Sequence, residues 1–297
     1  MNQHSAPRLS ESDFCMSSRI SSIPVERTTS RSSKIKGSSA VEQALPVNGE
    51  PLASVLLVSP DTVTPHEIAV DDHVRELATE ILADGYVRHP MISAAVGGRY
   101  VLLDGTHRLA ALSSIGVRRV PLQVIAQSAV RFDTWAKIVV HRRGCAPVLE
   151  TPFAWHEGSD ASAAVNVFAS HGQTWHTSKS ATSLKARHEI LTRILSSIAD
   201  ANEIRTSVPS QAKPNGPCSF VLGFQTWSLE EVIHLTQQER RLPSGLTRVI
   251  VSGRILNLRV PLEMLRDQHV DANTWSQFIS SARRRSRVYD EPTILVD

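Results

Sequence analysis

The sequence predicts an α/β (α+β) fold, in which a compact N-terminal domain of alternating strands and helices precedes a longer, mixed C-terminal domain. Three observations lead to this fold class. Between residues 51 and 130, short apolar runs are bounded by turn residues, segments with apolar residues at helical spacing separate them, and glycines mark the transitions. Alternation of this kind is typical of helices packed on a sheet.

A segment rich in Ser, Thr and Arg, residues 1–50, precedes this domain. It has no apolar periodicity, so it cannot bury enough surface to offset the entropy that ordering would cost. We therefore expect a disordered tail, and we interpret its basic residues as solvated rather than as a site for an acidic partner.

The domain at 51–130 is predicted to have the element order β-α-β-β-α-β. The predicted elements are a strand at Val55–Val58, a helix capped by Asp72 with Val74, Leu77, Ile81 and Leu82 on one face, strands at Met91–Ser93 and Tyr100–Leu103, a helix at Thr106–Ile115 and a strand at Val120–Ile125. Gly85 and Gly116 are placed to end the two helices, and Gly97-Gly98 to form a tight turn.

Residues 131–297 are predicted to form a largely helical domain with some β-structure. Its first part contains the candidate helices Phe132–Val140 and Leu184–Ile198. Ser228-Leu229-Glu230-Glu231 has the spacing of a capping box and predicts a further helix. The β-rich runs are Thr247–Val251 and Arg254–Val260.

Composition narrows the function classes. The net charge of +3 is small for 297 residues, so charge alone does not favour a nucleic-acid partner. The cysteines, Cys15, Cys145 and Cys218, form no CxxC pair, which disfavours a zinc site or a disulfide framework and favours a reducing compartment. No apolar run has the length of a membrane helix, and the N-terminus lacks the pattern of a signal peptide. We therefore expect a cytoplasmic protein without a membrane partner.

Asp104-Gly105-Thr106-His107-Arg108 lies at a predicted strand-to-helix turn. A glycine lets the backbone approach a ligand closely, and the start of a helix offers unpaired N–H groups that suit a phosphate. Arg108 adds guanidinium donors, and Asp104 can hold a metal, accept a hydroxyl proton or bind an amino group. These residues predict a phosphate site, but a surface turn with a salt-bridged arginine would have the same sequence.

Pro65-His66-Glu67 lies in the loop before the first helix of the same domain. Phosphoryl transfer to a hydroxyl needs a carboxylate that can accept the hydroxyl proton, and Glu67 could face the phosphate site. A lone glutamate in a loop is more often solvated, so the motif gains weight only together with the first one.

Together these motifs resemble the ParB/sulfiredoxin superfamily over residues 54–126, and within it the free L-serine kinases, which include ParB-like serine kinases of siderophore pathways. The resemblance continues at Asp133-Thr134-Trp135 and at Leu242–Arg248, and it is weak across 145–215. It implies transfer of a phosphoryl group from ATP or ADP to free L-serine, giving O-phospho-L-serine for siderophore or other specialised biosynthesis.

The resemblance also implies roles for the matching residues. The catalytic candidates are Glu67, as the general base, Asp104 and His107. The nucleotide-binding candidates are Gly105, Thr106, His107 and Arg108. The substrate-binding candidates are Asp104, Trp135, Thr247 and Arg248, and the arginine would form a bidentate ion pair with the serine carboxylate. Mg²⁺ is expected with the nucleotide, and no residue is assigned as a metal ligand.

Two relatives within the superfamily are weighed against this interpretation. Sulfiredoxin chemistry needs a cysteine directly before the His-Arg pair, where this chain has Thr106, so that activity is excluded. The Gly-Glu-Arg-Arg motif of ParB-type partition proteins is absent, although a regulator that binds nucleotide and DNA stays open, as does a homodimer. Val249 also stands where some serine kinases have histidine.

A group of three histidines, His156, His171 and His176, lies close in sequence to Trp155 and Trp175. They lack the close spacing of metal ligands, which disfavours a zinc or haem site, and the neighbouring Phe153 and Trp155 are interpreted as packing residues.

Overall fold

The computed structural model describes residues 51–178 and 183–288 and the backbone of 293–296. The predicted tail at 1–50 lies outside the described residues. The described chain forms two compact units, the first made of residues 51–133 and those after 225, and the second of residues 134–225. Residues 131–297 were expected to form one domain, whereas the structure divides that range at Gln225.

The strands are β1 (Val55–Val58), β2 (Val63–Pro65), β3 (Tyr86–Val87), β4 (Met91–Val96), β5 (Arg99–Asp104), β6 (Val120–Val124), β7 (Arg131–Thr134), β8 (Ala136–Val140), β9 (Trp155–Glu157), β10 (Val165–Ala169), β11 (Thr174–Thr177), β12 (Glu203–Ser207), β13 (Ser219–Phe224), β14 (Thr247–Ile250), β15 (Arg254–Leu256), β16 (Val260–Pro261), β17 (Ser286–Val288) and β18 (Thr293–Val296). The helices are α1 (Asp71–Asp84), α2 (Thr106–Ser114), α3 (Ala146–Leu149), α4 (Leu184–Ser197), α5 (Leu229–Gln237), α6 (Leu262–Arg266) and α7 (Ala272–Arg285).

The first unit is built on a five-stranded mixed sheet with the strand order β1-β6-β4-β5-β2. β6 and β4 are parallel, as are β5 and β2, and the other two pairs are antiparallel. The core contains Met91, Leu102, Leu112 and Leu122, all fully buried. Burying a side chain of this size stabilises a fold by roughly 1.5–3 kcal/mol, so the sheet and α2 are anchored to each other where the predicted phosphate site begins.

The predicted helix α1 is present, but Asp72 does not cap it: the helix begins at Asp71, and its N-cap residue, Val70, makes no side-chain cap. Ala78 and Ile81 are buried, but Leu82, expected on the same face, is exposed. Gly85 ends the helix in the left-handed region (φ +74°) and donates its N–H to Ile81 O at 3.0 Å. Glycine adopts this conformation at little cost, so the predicted helix end is confirmed.

The hairpin of β4 and β5 sets the position of the Asp104 motif. Gly97-Gly98 forms the predicted turn, and both glycines have positive φ. The register shifts between Ile92 and Ser93, so that Ile92 lies opposite Asp104. Asp104 is the last residue of β5, directly before the Gly105 turn.

The second unit differs from the sequence-based expectation. It contains a six-stranded antiparallel sheet, β12-β8-β13-β10-β11-β9, rather than a mainly helical domain. Phe132–Val140, expected to be a helix, forms β7 and β8. A short apolar run does not distinguish helix from strand, and the consecutive β-branched residues Ile138, Val139 and Val140 favour the strand. The helix expected at Leu184–Ile198 is confirmed as α4.

The elements after Gln225 complete the first unit. The predicted capping box opens α5, with the Ser228 side chain bonded to Glu231 N and the Glu231 side chain to Ser228 N. β14 pairs with β7 and β16 with β3. Helix α7 packs Trp275 and Phe278 against the core. None of the helices in the described ranges is both long and apolar enough to cross a membrane.

Candidate active site

The turn between β5 and α2 has the geometry of an anion site. Gly105 has φ +105°, and a Cβ there would lie 2.7 Å from Met91 Cγ, so no side chain fits. The first intrahelical bond runs from Leu109 N to Gly105 O at 2.9 Å. The N–H groups of Thr106, His107 and Arg108 precede that bond, so they point out of the helix start, where the helix dipole is positive.

Arg108 is partly anchored to the loop before β4. Its Nη1 donates to His89 O and to Pro90 O, each at 2.9 Å. Within the described residues, its Nε and Nη2 groups have no hydrogen-bond partner. Burial lowers the pKa of the Arg108 guanidinium, and the Asp104 carboxylate opposes that effect. The arginine thus keeps free donors beside the helix start.

Asp104 forms an ion pair that was not predicted from the sequence. Arg254 Nη1, from β15, donates to Asp104 Oδ2. Burial raises the pKa of the Asp104 carboxyl, but the positive charges of Arg108 and Arg254 outweigh it, and the pKa is lowered overall. Asp104 is therefore an anion at neutral pH.

His107 lies between the helix start and a second turn. Its Nε2 is 3.4 Å from Ser244 Oγ, and its ring meets that of His73, from α1, edge to face with centroids 5.3 Å apart. Burial lowers the pKa of the His107 imidazole, His73 lowers it further, and Glu67 opposes both. The ring is therefore largely neutral at pH 7.

Glu67 is buried and binds the turn formed by residues 243–247. Its Oε1 accepts from Leu246 N at 3.1 Å, from Thr247 N at 2.8 Å and from Thr247 Oγ1 at 2.7 Å. Its Oε2 accepts from Gly245 N at 3.0 Å. A carboxylate can accept about four hydrogen bonds, two at each oxygen. Oε1 is therefore saturated, and the open lone pair is on Oε2.

His66 ties the same turn to the sheet. Its Nδ1 donates to Leu102 O at 2.6 Å, and its Nε2 lies 2.7 Å from Thr247 Oγ1. The backbone adds bonds from Leu242 N to His66 O at 2.7 Å and from Ile68 N to Leu242 O at 2.8 Å. The loop after β2 and the turn before β14 are thus one hydrogen-bonded structure.

The predicted serine ligands have different surroundings. Both donors of Thr247 bond to Glu67, so this residue holds the turn. Arg248 is half-buried and forms an ion pair with Asp133, with Nη1 3.3 Å from Oδ2. Trp135 lies between β7 and β8 in the second unit. The structure therefore brings Glu67, Asp104, the 105–108 turn and Thr247 together, and Trp135 keeps its predicted role only as an expectation.

Sequence reasoning missed four residues of this site. They are His66 as a link, His73, Ser244 and Arg254. His66 lies inside the Pro65-His66-Glu67 motif and Ser244 inside the Leu242–Arg248 segment, but neither was assigned a role. No local pattern marks Arg254, because its partner is 150 positions away in the chain.

No family profile matches the chain. Among curated proteins, the ATP-dependent L-serine kinase SbnI of Staphylococcus aureus is 27% identical over 252 residues, which span 81% of this chain and 96% of that protein. Over most of its length the chain is similar to this L-serine kinase. The resemblance inferred from the Pro-His-Glu and Asp-Gly-x-His-Arg motifs is thereby confirmed.

Solved structures show the same fold in other proteins. The structure of SbnI with C-terminal truncation from Staphylococcus aureus has a TM-score of 0.68 at 23% identity, covering 77% of this chain and 96% of that one. A free serine kinase in complex with AMP has a TM-score of 0.59 at 19% identity, covering 71% and 93%. The mixed α/β architecture of these proteins is therefore shared over most of the chain.

Proposed function

We propose that the protein transfers the γ-phosphoryl group of ATP to the hydroxyl of free L-serine, giving O-phospho-L-serine and ADP. One observation carries the proposal. In the 243–247 turn, Ser244 meets His107 at the start of α2, while the next residue, Gly245, donates to the Glu67 carboxylate. The turn thereby brings the Glu67 carboxylate close to the start of α2, and this supports the proposal because transfer of a phosphoryl group to a hydroxyl needs a proton acceptor near the phosphates.

The nucleotide phosphates would bind at the start of α2. The N–H groups of Thr106, His107 and Arg108 supply donors, and the absent side chain of Gly105 lets a phosphate oxygen approach the backbone. The free Nε and Nη2 groups of Arg108 add charged donors. These groups would hold the phosphates and offset the charge that develops on the transferred phosphoryl group.

Glu67 would accept the proton of the serine hydroxyl at Oε2, where a lone pair is open. The serine oxygen then forms its bond to the γ-phosphorus, the bond to the ADP oxygen breaks, and the proton stays on Glu67. A positioned base of this kind contributes about 10²- to 10⁴-fold to the rate. The four donors around the carboxylate fix its orientation before substrate arrives.

The remaining serine groups would be bound by charge. Asp104, an anion at neutral pH, matches the serine ammonium. The serine carboxylate would go to Arg248, which could exchange its ion pair with Asp133 for the substrate. Because Thr247 donates to Glu67, we propose that it contributes through the base, and Trp135 stays a candidate for the pocket wall.

A magnesium ion is expected with the nucleotide, as in other phosphoryl-transfer enzymes. Among the described residues, no group of three or more His, Cys, Asp or Glu side chains could hold a metal. The chain therefore offers no cage of its own in the described ranges, and we propose that the ion arrives on the phosphates.

The test is to incubate the full chain with ATP, Mg²⁺ and L-serine and to quantify phosphoserine and ADP by mass spectrometry. We expect equal amounts of both, and no product with L-alanine, which lacks the hydroxyl. ADP replaces ATP in a parallel reaction, because the sequence leaves the donor open, while SbnI is ATP-dependent. Absence of phosphoserine with either nucleotide would refute the proposal.

The base is tested with Glu67→Gln, and Glu76→Gln on the exposed face of α1 is the matched control. Glu67→Gln loses the proton acceptor and one hydrogen bond to the turn, so kcat falls by about 10²-fold or more while AMP still binds. Glu76→Gln keeps full activity. A folded Glu67→Gln variant with normal kcat would exclude Glu67 as the base.

A further inference from the structure

We propose that Arg254 is a positioning residue for the kinase reaction and that it holds the Asp104 carboxylate at the end of β5. The inference rests on the proposed function and deepens it. Arg254 Nη1 donates to Asp104 Oδ2, and Nη2 of the same guanidinium donates to Val249 O at 3.2 Å. One planar group therefore connects the carboxylate with the backbone next to Arg248, the proposed ligand of the serine carboxylate.

The backbone of Arg254 is itself fixed. Gln123, on β6, is buried, with 1% of its surface exposed. Its Nε2 donates to Gly253 O at 2.7 Å, and its Oε1 accepts from Ile255 N at 3.0 Å. A single side chain therefore binds both neighbours of Arg254. Because the backbone on both sides of Arg254 is held in this way, the fold itself directs the guanidinium at Asp104.

Four charged or titratable groups face Asp104 from the surrounding elements. They are Arg108 from α2, Arg254 from β15, His66 from the loop after β2, and His89 from the loop before β4. Burial raises the pKa of Asp104, while the two arginines lower it. Nη1 of Arg108 is engaged with backbone carbonyls, so Arg254 is the cation that hydrogen-bonds to the carboxylate. Without Arg254, the effect of burial gains weight and the pKa of Asp104 rises.

A direct ligand would behave differently from a positioning residue. If Arg254 bound the serine carboxylate or a phosphate itself, its loss would weaken binding of that substrate equally in the wild-type and the Asp104→Asn backgrounds. If it acts through Asp104, its loss lowers kcat/KM for serine, and the loss disappears once Asp104 has been neutralised. The two roles are therefore separated by kinetics in two backgrounds.

The experiment compares Arg254→Gln, Arg254→Lys, Asp104→Asn and the double variant with Arg259→Gln. Arg259 is an exposed arginine of the same segment that bonds to Asn257 and lies over the ring of Tyr86, and its loss should leave kcat and KM unchanged. We expect Arg254→Gln to lower kcat/KM for serine about 10- to 100-fold, with KM for ATP nearly unchanged. Lysine restores part of the rate, and Arg254→Gln has no further effect in Asp104→Asn.

A second measurement needs no turnover. The titration of the Asp104 carboxyl is followed by ¹³C NMR and assigned by its absence in Asp104→Asn. Its midpoint should move to higher pH in Arg254→Gln, and less far in Arg254→Lys, which also covers the case that the glutamine variant does not fold. An unmoved midpoint in a folded variant, or a loss of kcat/KM for serine that persists in Asp104→Asn, would overturn the inference. If the wild-type chain makes no phosphoserine, the proposed function fails, and the titration alone decides the role of Arg254.

Discussion

Replacing Gly105 by alanine should damage the protein in a way that can be worked out from the structure. Gly105 has φ +105°, a region that other residues avoid, and the added Cβ would lie 2.7 Å from Met91 Cγ and 3.2 Å from Met91 Cβ. The backbone conformation costs about 1–2 kcal/mol for a residue with a Cβ. Met91 is fully buried, so making room for the methyl group costs about 1–3 kcal/mol more.

The sum, about 2–5 kcal/mol, is a large part of the roughly 5–15 kcal/mol by which a domain is stable. Gly97→Ala is the matched control, since Gly97 also has positive φ (+56°), but a Cβ at this position would have no atom within 4 Å. Gly97→Ala should therefore lose only the backbone part, about 1–2 kcal/mol. The free energies of unfolding are compared by urea titration.

The same pair of variants tests the phosphate site. Because a shifted Gly105 moves the N–H groups at the start of α2, the affinity for AMP, measured by calorimetry, should fall at least about tenfold, which corresponds to about 1.4 kcal/mol. Gly97→Ala should bind AMP normally. Combining Gly105→Ala with Met91→Ala, which removes the clashing Cγ, should cost less than the sum of the two single changes. Equal losses of stability and normal AMP binding in both glycine variants would refute this account.

Three further predictions concern separate contacts. Thr247→Val removes the hydroxyl between Glu67 and His66 and should destabilise the fold by about 1–3 kcal/mol and lower kcat, whereas Thr236→Val, at an equally buried hydroxyl inside α5, should cost less and leave kcat unchanged. The affinity for AMP should rise as the pH falls through the lowered pKa of His107, and His73→Gln, which raises that pKa, should move the rise to higher pH; calorimetry between about pH 5 and 8 would contradict this by showing a flat profile. Ser228→Ala removes the cap of α5 and should cost about 1 kcal/mol in urea unfolding without any change in kinase activity.

Local signals in the sequence were reliable where the structure depends on neighbours along the chain. The glycine that ends α1, the Gly97-Gly98 turn and the Ser228 capping box each act within a few residues, and each is observed. The Asp-Gly-Thr-His-Arg turn belongs to the same class, since a strand end, a left-handed glycine and a helix start follow one another directly.

Features that depend on contacts between distant parts of the chain could not be predicted from the sequence. Phe132–Val140 was expected to be helical, yet β8 is a strand because β12 and β13 flank it, and neither is near in sequence. Thr247 was assigned to the substrate because its motif resembles a binding segment, but Glu67, 180 residues away, takes both of its donors. Arg254 was missed for the same reason. Residue types reveal which chemistry is available, but the fold decides which groups meet.

His66 and Thr247 together position the proposed base. The Nδ1 of His66 donates to Leu102 O at 2.6 Å, and its Nε2 lies 2.7 Å from Thr247 Oγ1. The hydroxyl of Thr247 donates to Glu67 Oε1 at 2.7 Å. Glu67 is therefore connected to the sheet through two side chains, so His66→Gln should disturb the orientation of the carboxylate and lower kcat. A folded His66→Gln variant with the kcat of the wild type would refute this role of His66.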